Sequence, residues 1–384
     1  MPLLAATTSA IAWSGHLTTI PLSLFAPALL SKAQSRLQAY ATLFSYYLGA
    51  SWPIIPGARA FFGARANPVQ GTLLCLGAAA LLAIPAALLF PRDRTTVPFM
   101  VAGMFLFATV PPLGIIGWAS PLLSAGLLFP CTSWFGLIGI LGIIVLIGRF
   151  PSQTAALTGI LAFAANALYN PPAFPTGWQA VNTKFGGAGQ GDPDFLAEFD
   201  AQEQMQEIIR RSDARVLLFP EHVVTQWNEA TGAFWHTTLE SQGARNSTIL
   251  LGVGLPRLRA PQSFRGRSYY NVLLAMGRET QAVYHQRIPV PLGMWKPLRD
   301  EGVPLNLFGP GTIPIHNQRA AVLLCYEQLL AWPFLSSAFE HPTVLVAPAN
   351  DYWAKDTPIP KIQKASAEAW ARLFGLPVLS AVNQ

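Results

Sequence analysis

Gly71–Phe90, twenty consecutive residues without a charge, limits what this chain can fold into more than any other stretch. At 1.5 Å rise per residue, a helix of that length covers the roughly 30 Å hydrocarbon core of a bilayer. Pro91-Arg92-Asp93-Arg94 closes it. Similar runs occupy Tyr40–Ile55, Val97–Gly117 (interrupted by Pro111-Pro112), Phe135–Gly148 and Thr154–Tyr169. Residues 2–30 are also apolar but are broken at His16 and Pro21, so they read as one long span or two short ones. Residues 1–170 are therefore expected to form an α-helical transmembrane bundle of six or seven helices. A cleaved signal peptide would need a positive stretch at its start, and none is present.

Charge follows the same division. Only 11% of the 384 residues are charged and 52% are hydrophobic, against about 25% charged in ordinary soluble domains. Residues 1–170 hold Lys32, Arg36, Arg59, Arg65, Arg92, Arg94 and Arg149 against one acid, Asp93. Of the totals of 25 basic and 19 acidic residues, that leaves 18 of each for the rest, so the net +6 belongs to loops of the first half. Such a bias is a topology signal and points to no nucleic-acid partner. It places the loops holding Lys32/Arg36, Arg92/Arg94 and Arg149 in the cytoplasm, and the chain beyond the last span on the opposite face. Arg59 and Arg65 fall on the other side of that scheme.

Residues 171–177 form a Pro- and Gly-containing linker. From Trp178 short apolar runs alternate with amphipathic stretches. Strands are expected at 178–181, 216–219, 248–253, 271–275, 282–284, 321–324, 343–347 and 378–382. Helices are expected around 328–339, at 360–374, and from Asp192-Pro193 (a helix-start pair) to about Arg211. This alternation predicts an α/β sandwich over 178–384 whose inner strands are buried on both faces. Cys75, Cys131 and Cys325 are widely spaced, with no CxxC, and no His/Cys/carboxylate cluster has metal-ligand spacing. No cofactor and no metal are implied.

Two carboxylates and a thiol stand at the ends of buried runs, where open α/β sheets place their chemistry. Glu221 follows Val216–Phe219, and Cys325-Tyr326-Glu327 follows Ala321–Leu324. A buried Glu beside a Cys can take the thiol proton and later activate water. A core cysteine and a helix-start carboxylate are the alternatives.

Four segments resemble the nitrilase (carbon–nitrogen hydrolase) superfamily in its apolipoprotein N-acyltransferase branch. Leu217-Leu218-Phe219-Pro220-Glu221 resembles the strand ending in the base. Tyr270-Asn271 resembles a Tyr-Asn-Ser strand, Leu324-Cys325-Tyr326-Glu327 the nucleophile motif, and Ala349-Asn350-Asp351-Tyr352-Trp353 a Ser-Asn-Asp-Ala-Trp segment. A multi-span bundle before the catalytic domain is particular to that branch, and length and layout are similar to the TraB type among plasmid conjugal-transfer proteins.

The resemblance implies a nitrilase-like α-β-β-α sandwich. It makes Glu221 the base, Cys325 the nucleophile that forms an acyl-thioester, Glu327 an accessory acid and the Tyr326 N–H an oxyanion donor. The family's lysine does not carry over: its place in Tyr284-His285-Gln286 is Gln286, and a later Glu is Met294. Arg287, Lys296 and Lys355 are the nearby cations in sequence. The family continues past the position of Gln384 with further strands and, in the acyltransferase branch, another span.

The resemblance implies a protein of the bacterial inner membrane with its α/β domain in the periplasm. Two functions stay open. One is a membrane-anchored amidase or N-acyltransferase, whose partners would be the bilayer and a phospholipid acyl donor. The other is a catalytically impaired member serving as an assembly or binding component among conjugation-apparatus proteins. A Cys/His hydrolase using His222 or His285 is a third reading.

Overall fold

The computed structural model describes residues 1–63, 67, 69–185, 195–257, 268–277 and 281–384. Asp192-Pro193 and Arg65 lie outside them. The chain forms two compact units, Met1–Pro172 with Leu329–Trp332 and Asp356–Leu376, and Ala173–Gln328 with Pro333–Lys355 and Pro377–Gln384.

The first unit is helical: α1 Pro2–Ala12, α2 Phe25–Leu30, α3 Arg36–Ser51, α4 Ile54–Phe62, α5 Gln70–Leu89, α6 Val97–Thr109, α7 Ser124–Leu128, α8 Trp134–Ile147 and α9 Pro151–Ala167. Most of these helices are shorter than the expected six or seven spans. Among the described residues α5 is the one helix long and apolar enough to cross a membrane. The run from Val97 stops after 13 residues, because Pro111-Pro112 supplies no backbone donors and restricts the residue before each ring. The run from Trp134 is 14 residues long. Residues 2–30 break into α1, a 3-10 segment Leu17–Leu24 and α2.

Two buried polar side chains of this unit pair where its helices meet. Trp13 Nε1 donates to Tyr46 Oη (3.1 Å), which donates to the Ala119 carbonyl (2.7 Å). The helix expected at 360–374, α13 Ile359–Phe374, packs within this unit against α7. Gly126 makes that approach possible, since a Cβ there would lie 1.9 Å from the Ala369 carbonyl oxygen.

The second unit carries β1 Trp178–Ala180, α10 Phe195–Arg211, β2 Val216–Leu218, α11 Glu229–Ala244, β3 Thr248–Pro256, β4 Tyr269–Gly277 and β5 Gln281–His285. It continues with β6 Thr312–Ile315, β7 Gln318–Val322, α12 Ala331–Ala338, β8 Val344–Asn350 and β9 Val378–Asn383. Two mixed sheets result, in strand order β1-β2-β3-β4-β5 and β6-β7-β8-β9. Pairing is parallel for β1-β2-β3 and β7-β8-β9, and antiparallel for β3-β4-β5 and β6-β7.

Strand side chains alternate between faces. Val216, Leu218, Leu250 and Leu273 meet Val322, Val346 and Leu379 between the sheets. Leu217, Ile249, Leu251 and Val253 face the other way, onto Met205 and Ile209 of α10 and Trp235 of α11. Both faces of β2 and β3 are thus dry, which is why these strands read as unbroken apolar runs.

Candidate active site

Five chain segments build the site. β2 ends at Leu218, and Pro220-Glu221 turns across β3, where Gly252 leaves the room: a Cβ there would fall 2.6 Å from Glu221 Cα. Glu221 is buried, with Oε1 accepting from Asn271 Nδ2 of β4 (2.6 Å) and Oε2 from the Asn350 N–H at the end of β8 (3.1 Å). The Cys325 thiol hydrogen-bonds the same carboxyl.

Cys325 opens a 3-10 turn, Cys325–Leu329, after Leu323-Leu324 beyond the end of β7, with φ +45°. A residue with a Cβ is strained in that left-handed region by about 1–3 kcal/mol and needs its surroundings to hold it. Glu327 and Gln328 provide the hold. The Leu324 N–H donates to Glu327 Oε2 (2.9 Å), and Gln328 Nε2 donates to the carbonyls of Leu323 (3.3 Å) and Pro348 (3.1 Å).

Burial lifts the Glu221 carboxyl to about 7, against the opposing hydrogen bonds from Cys325, Asn271 and the Asn350 amide. Burial, joined by the charges of Glu221 and Asp351, pushes the Cys325 thiol well up. The resting pair is therefore a neutral thiol beside a carboxyl whose proton affinity is raised toward neutral pH. Such a carboxyl suits a general base, whose best affinity for the proton lies near the operating pH.

Gln286 lies within the same hydrogen-bond network, past the end of β5. Its Oε1 accepts from Asn271 Nδ2 (3.0 Å) and its Nε2 donates to the Leu324 carbonyl (3.3 Å), next to the nucleophile. The Tyr326 amide follows Cys325 in the turn.

Glu327 is fully buried and occupied on both oxygens. Oε1 takes the N–H groups of Arg287 (2.6 Å) and Ile288 (3.1 Å), and Oε2 takes Tyr284 Oη (2.7 Å) besides the Leu324 N–H. The Arg287 guanidinium stands 4.0 Å from Glu327 and donates to Tyr284 Oη (3.0 Å), Ser336 Oγ (2.8 Å), Ser337 Oγ (2.9 Å) and the Pro333 carbonyl (2.8 Å).

The other cations have partners elsewhere: Lys296 pairs with Glu301 (2.7 Å), and Lys355 lies 4.9 Å above the Tyr352 ring. His222 faces Tyr269 and His285 faces Tyr270. Burial drops His222 to about 4, which leaves it neutral. Cys75 is buried in α5, and Cys131 is exposed. Sequence reasoning assigned no role to Asn271, Tyr284 or Asp351. The polar Asn271 in an otherwise apolar β4 was the available signal for the first.

Two mixed sheets pack face to face, and a thiol and a carboxyl meet at their strand ends. Over 383 residues the chain is 30% identical to a probable conjugal transfer protein TraB of Sinorhizobium fredii, covering 97% of this chain and 95% of that one. Over 405 residues it is 31% identical to the conjugal transfer protein TraB of Agrobacterium fabrum, covering 99% and 91%. It belongs to the TraB family of conjugal transfer proteins.

No family model matches the chain. Among solved structures, it is similar to a Nesterenkonia sp. AN1 amidase with acrylamide added at its active-site cysteine (12% identity, TM-score 0.30, 45% of this chain and 65% of that one). A cysteine-to-alanine form of that nitrilase-superfamily amidase gives 11% identity and a TM-score of 0.32, over 46% and 67%.

Proposed function

We propose that this protein is a membrane-anchored acyl-transferring enzyme of carbon–nitrogen hydrolase chemistry, working through Cys325 with Glu221 as base. The observation that carries the reading is the buried hydrogen bond between the Cys325 thiol and the Glu221 carboxyl.

Glu221 takes the thiol proton as sulfur attacks an acyl carbonyl carbon, and the carbonyl π pair moves to oxygen. When that pair returns, the bond to the leaving nitrogen or oxygen breaks, and Glu221 passes its proton to the leaving atom. An amine or water, deprotonated by Glu221, then attacks the thioester and releases the thiolate, which regains the proton. The Tyr326 N–H and the Gln286 amide are the candidate donors to the transient oxyanion. Glu327, with both oxygens occupied, positions the turn and transfers no proton.

The test is intact-mass analysis of the full chain in detergent after exposure to 4-nitrophenyl acetate. A single acetyl adduct that disappears in Cys325→Ala is expected. An unmodified wild type, or an adduct persisting in the variant, would overturn the reading.

The membrane assignment rests on α5 and on the apolar residues that unit 1 leaves exposed, among them Leu73, Leu88, Phe135, Ile138, Ile160 and Phe163. Arg36 Nε donates to the Phe90 carbonyl (3.2 Å), and Arg94 Nη1 donates to the Ala33 carbonyl. Ser31 lies against Gly148, next to Arg149. The positive loops thus share one end of unit 1, and we assign that end to the cytoplasm and the α/β unit to the periplasm. The chain would cross several times, its shorter helices spanning with their flanks. A phospholipid would supply the acyl group, and conjugation-apparatus proteins would be partners. Protease added to intact spheroplasts should remove an epitope placed after Gln384, and protection of that epitope would reverse the orientation.

A second reading, a non-catalytic assembly component, is favoured by one observation: the amide of Gln286 stands where the family has a cation.

A further inference from the structure

Asp351 is a buried acid that the mechanism above leaves unused. It follows Asn350, whose N–H bonds Glu221, and its own N–H donates to the Asn383 carbonyl of β9 (2.9 Å). The residue is 2% exposed, and among the described residues Oδ1 has no hydrogen-bond partner. An orphaned carboxyl oxygen in a buried site is destabilising, so its persistence calls for a reason.

Burial, followed by the charge of Glu221, raises Asp351 to about 7, and the Asp351 charge acts in turn on Cys325. Glu221 and Cys325 are the titratable groups coupled to it, and the nearby Lys355 is held over the Tyr352 ring. Two carboxyls that repel each other in a buried site share one proton across the middle of the pH range. The amides of Asn271 and Asn350 donate to Glu221 and favour its ionised form, whereas no donor among the described residues reaches Asp351 Oδ1, so the shared proton is assigned to Asp351. A carboxylic acid kept neutral in this way can donate a hydrogen bond to a developing oxyanion.

Resting on the acyl-transfer reading, we infer that protonated Asp351 is a catalytic hydrogen-bond donor to the acyl oxygen, replacing the positive charge that Gln286 does not supply. Asp351 keeps its proton throughout. The thiol proton goes to Glu221 and on to the leaving group, and the carbonyl oxygen gains and returns one electron pair while hydrogen-bonded to Asp351.

The experiment measures the rate of Cys325 acetylation by 4-nitrophenyl acetate, read by intact mass in full-length protein between pH 5.5 and 8.5. The wild type should show a bell, rising as Glu221 ionises and falling as Asp351 does. Asp351→Ala should slow acetylation by about 100-fold, the usual loss of one oxyanion donor. Asp351→Asn keeps an N–H donor in the same shape, so it should stay within about tenfold of wild type and lose the alkaline fall.

Wild-type rates in Asp351→Ala, or an alkaline fall that persists in Asp351→Asn, would overturn the inference while leaving Cys325 as the nucleophile. Should Asp351→Ala not fold, the pH profile of Asp351→Asn decides alone. Absence of acetylation in the wild type would remove both this inference and the reading beneath it.

Discussion

Cys325 and Glu327 are separated by one residue, yet they belong to two buried clusters built on opposite electrostatic terms. Around Glu327, four donors and a guanidinium surround the carboxyl. Arg287 offsets the carboxylate, and its remaining N–H groups are spent on α12. Around Glu221 the described residues supply no such cation: its partners are a thiol, an amide side chain and a backbone N–H. Burial raises both glutamates, but Arg287 is the leading opposing influence on Glu327, whereas only hydrogen bonds oppose it at Glu221. A neutralised carboxylate becomes a structural anchor; one left without a cation keeps an exchangeable proton.

Breaking the anchor should give the largest effect on folding. Arg287→Met strands Glu327 as an unpaired buried charge and should cost about 3–5 kcal/mol, seen as a fall in Tm of the detergent-solubilised protein. An unchanged Tm would mean that the cluster does not hold the turn. Glu221→Gln should leave the fold intact and slow Cys325 acetylation by about 100-fold or more, the range of a lost general base. A normal rate would move the base elsewhere.

Stability against pH separates the two clusters further. The folded state holds the Glu221 proton up to about 7, whereas the unfolded chain releases it near 4.3. The folded form therefore binds more protons in that window, and stability falls as pH rises from about 5 to 7.5, by up to about 3 kcal/mol. Asp351 contributes with the same sign. Tm measured at pH 5 and pH 8 should show the drop in wild type and a smaller one in Glu221→Gln. The smallest change should come from Gln286→Lys. A cation beside Glu221 lowers the pH at which acetylation sets in and raises the rate by about tenfold; an unaltered onset would place that side chain outside the site's field.

Several features of the sandwich were legible because burial on both faces leaves continuous apolar runs. Val216–Leu218, Thr248–Pro256 and Val344–Asn350 fall where those runs lie. Helix α11 was missed because its buried face is partly polar: Trp235 Nε1 donates to Gln202 (2.8 Å), and Thr238 Oγ1 donates to Gln206 (2.7 Å). No apolar stripe marks such a helix. Strand β6 was missed for its brevity and for Pro314. In the first half hydropathy located α3, α5, α8 and α9 but overran α6 and the helices within residues 2–30, since apolar residues continue through proline-bearing turns that a helix cannot follow.

By itself the sequence determined that one half is apolar with basic loops, that the other alternates strands and helices, and that Glu221 and Cys325 close two buried strands. These are local properties, written in composition and period. Only the tertiary structure decided that Arg287 turns to α12, that Gln286 bonds beside the nucleophile, and that Asp351 is buried with an unpaired oxygen in the field of Glu221. The proton affinity of a carboxyl depends on which groups from distant segments surround it and on the water they exclude, and no spacing along the chain encodes that.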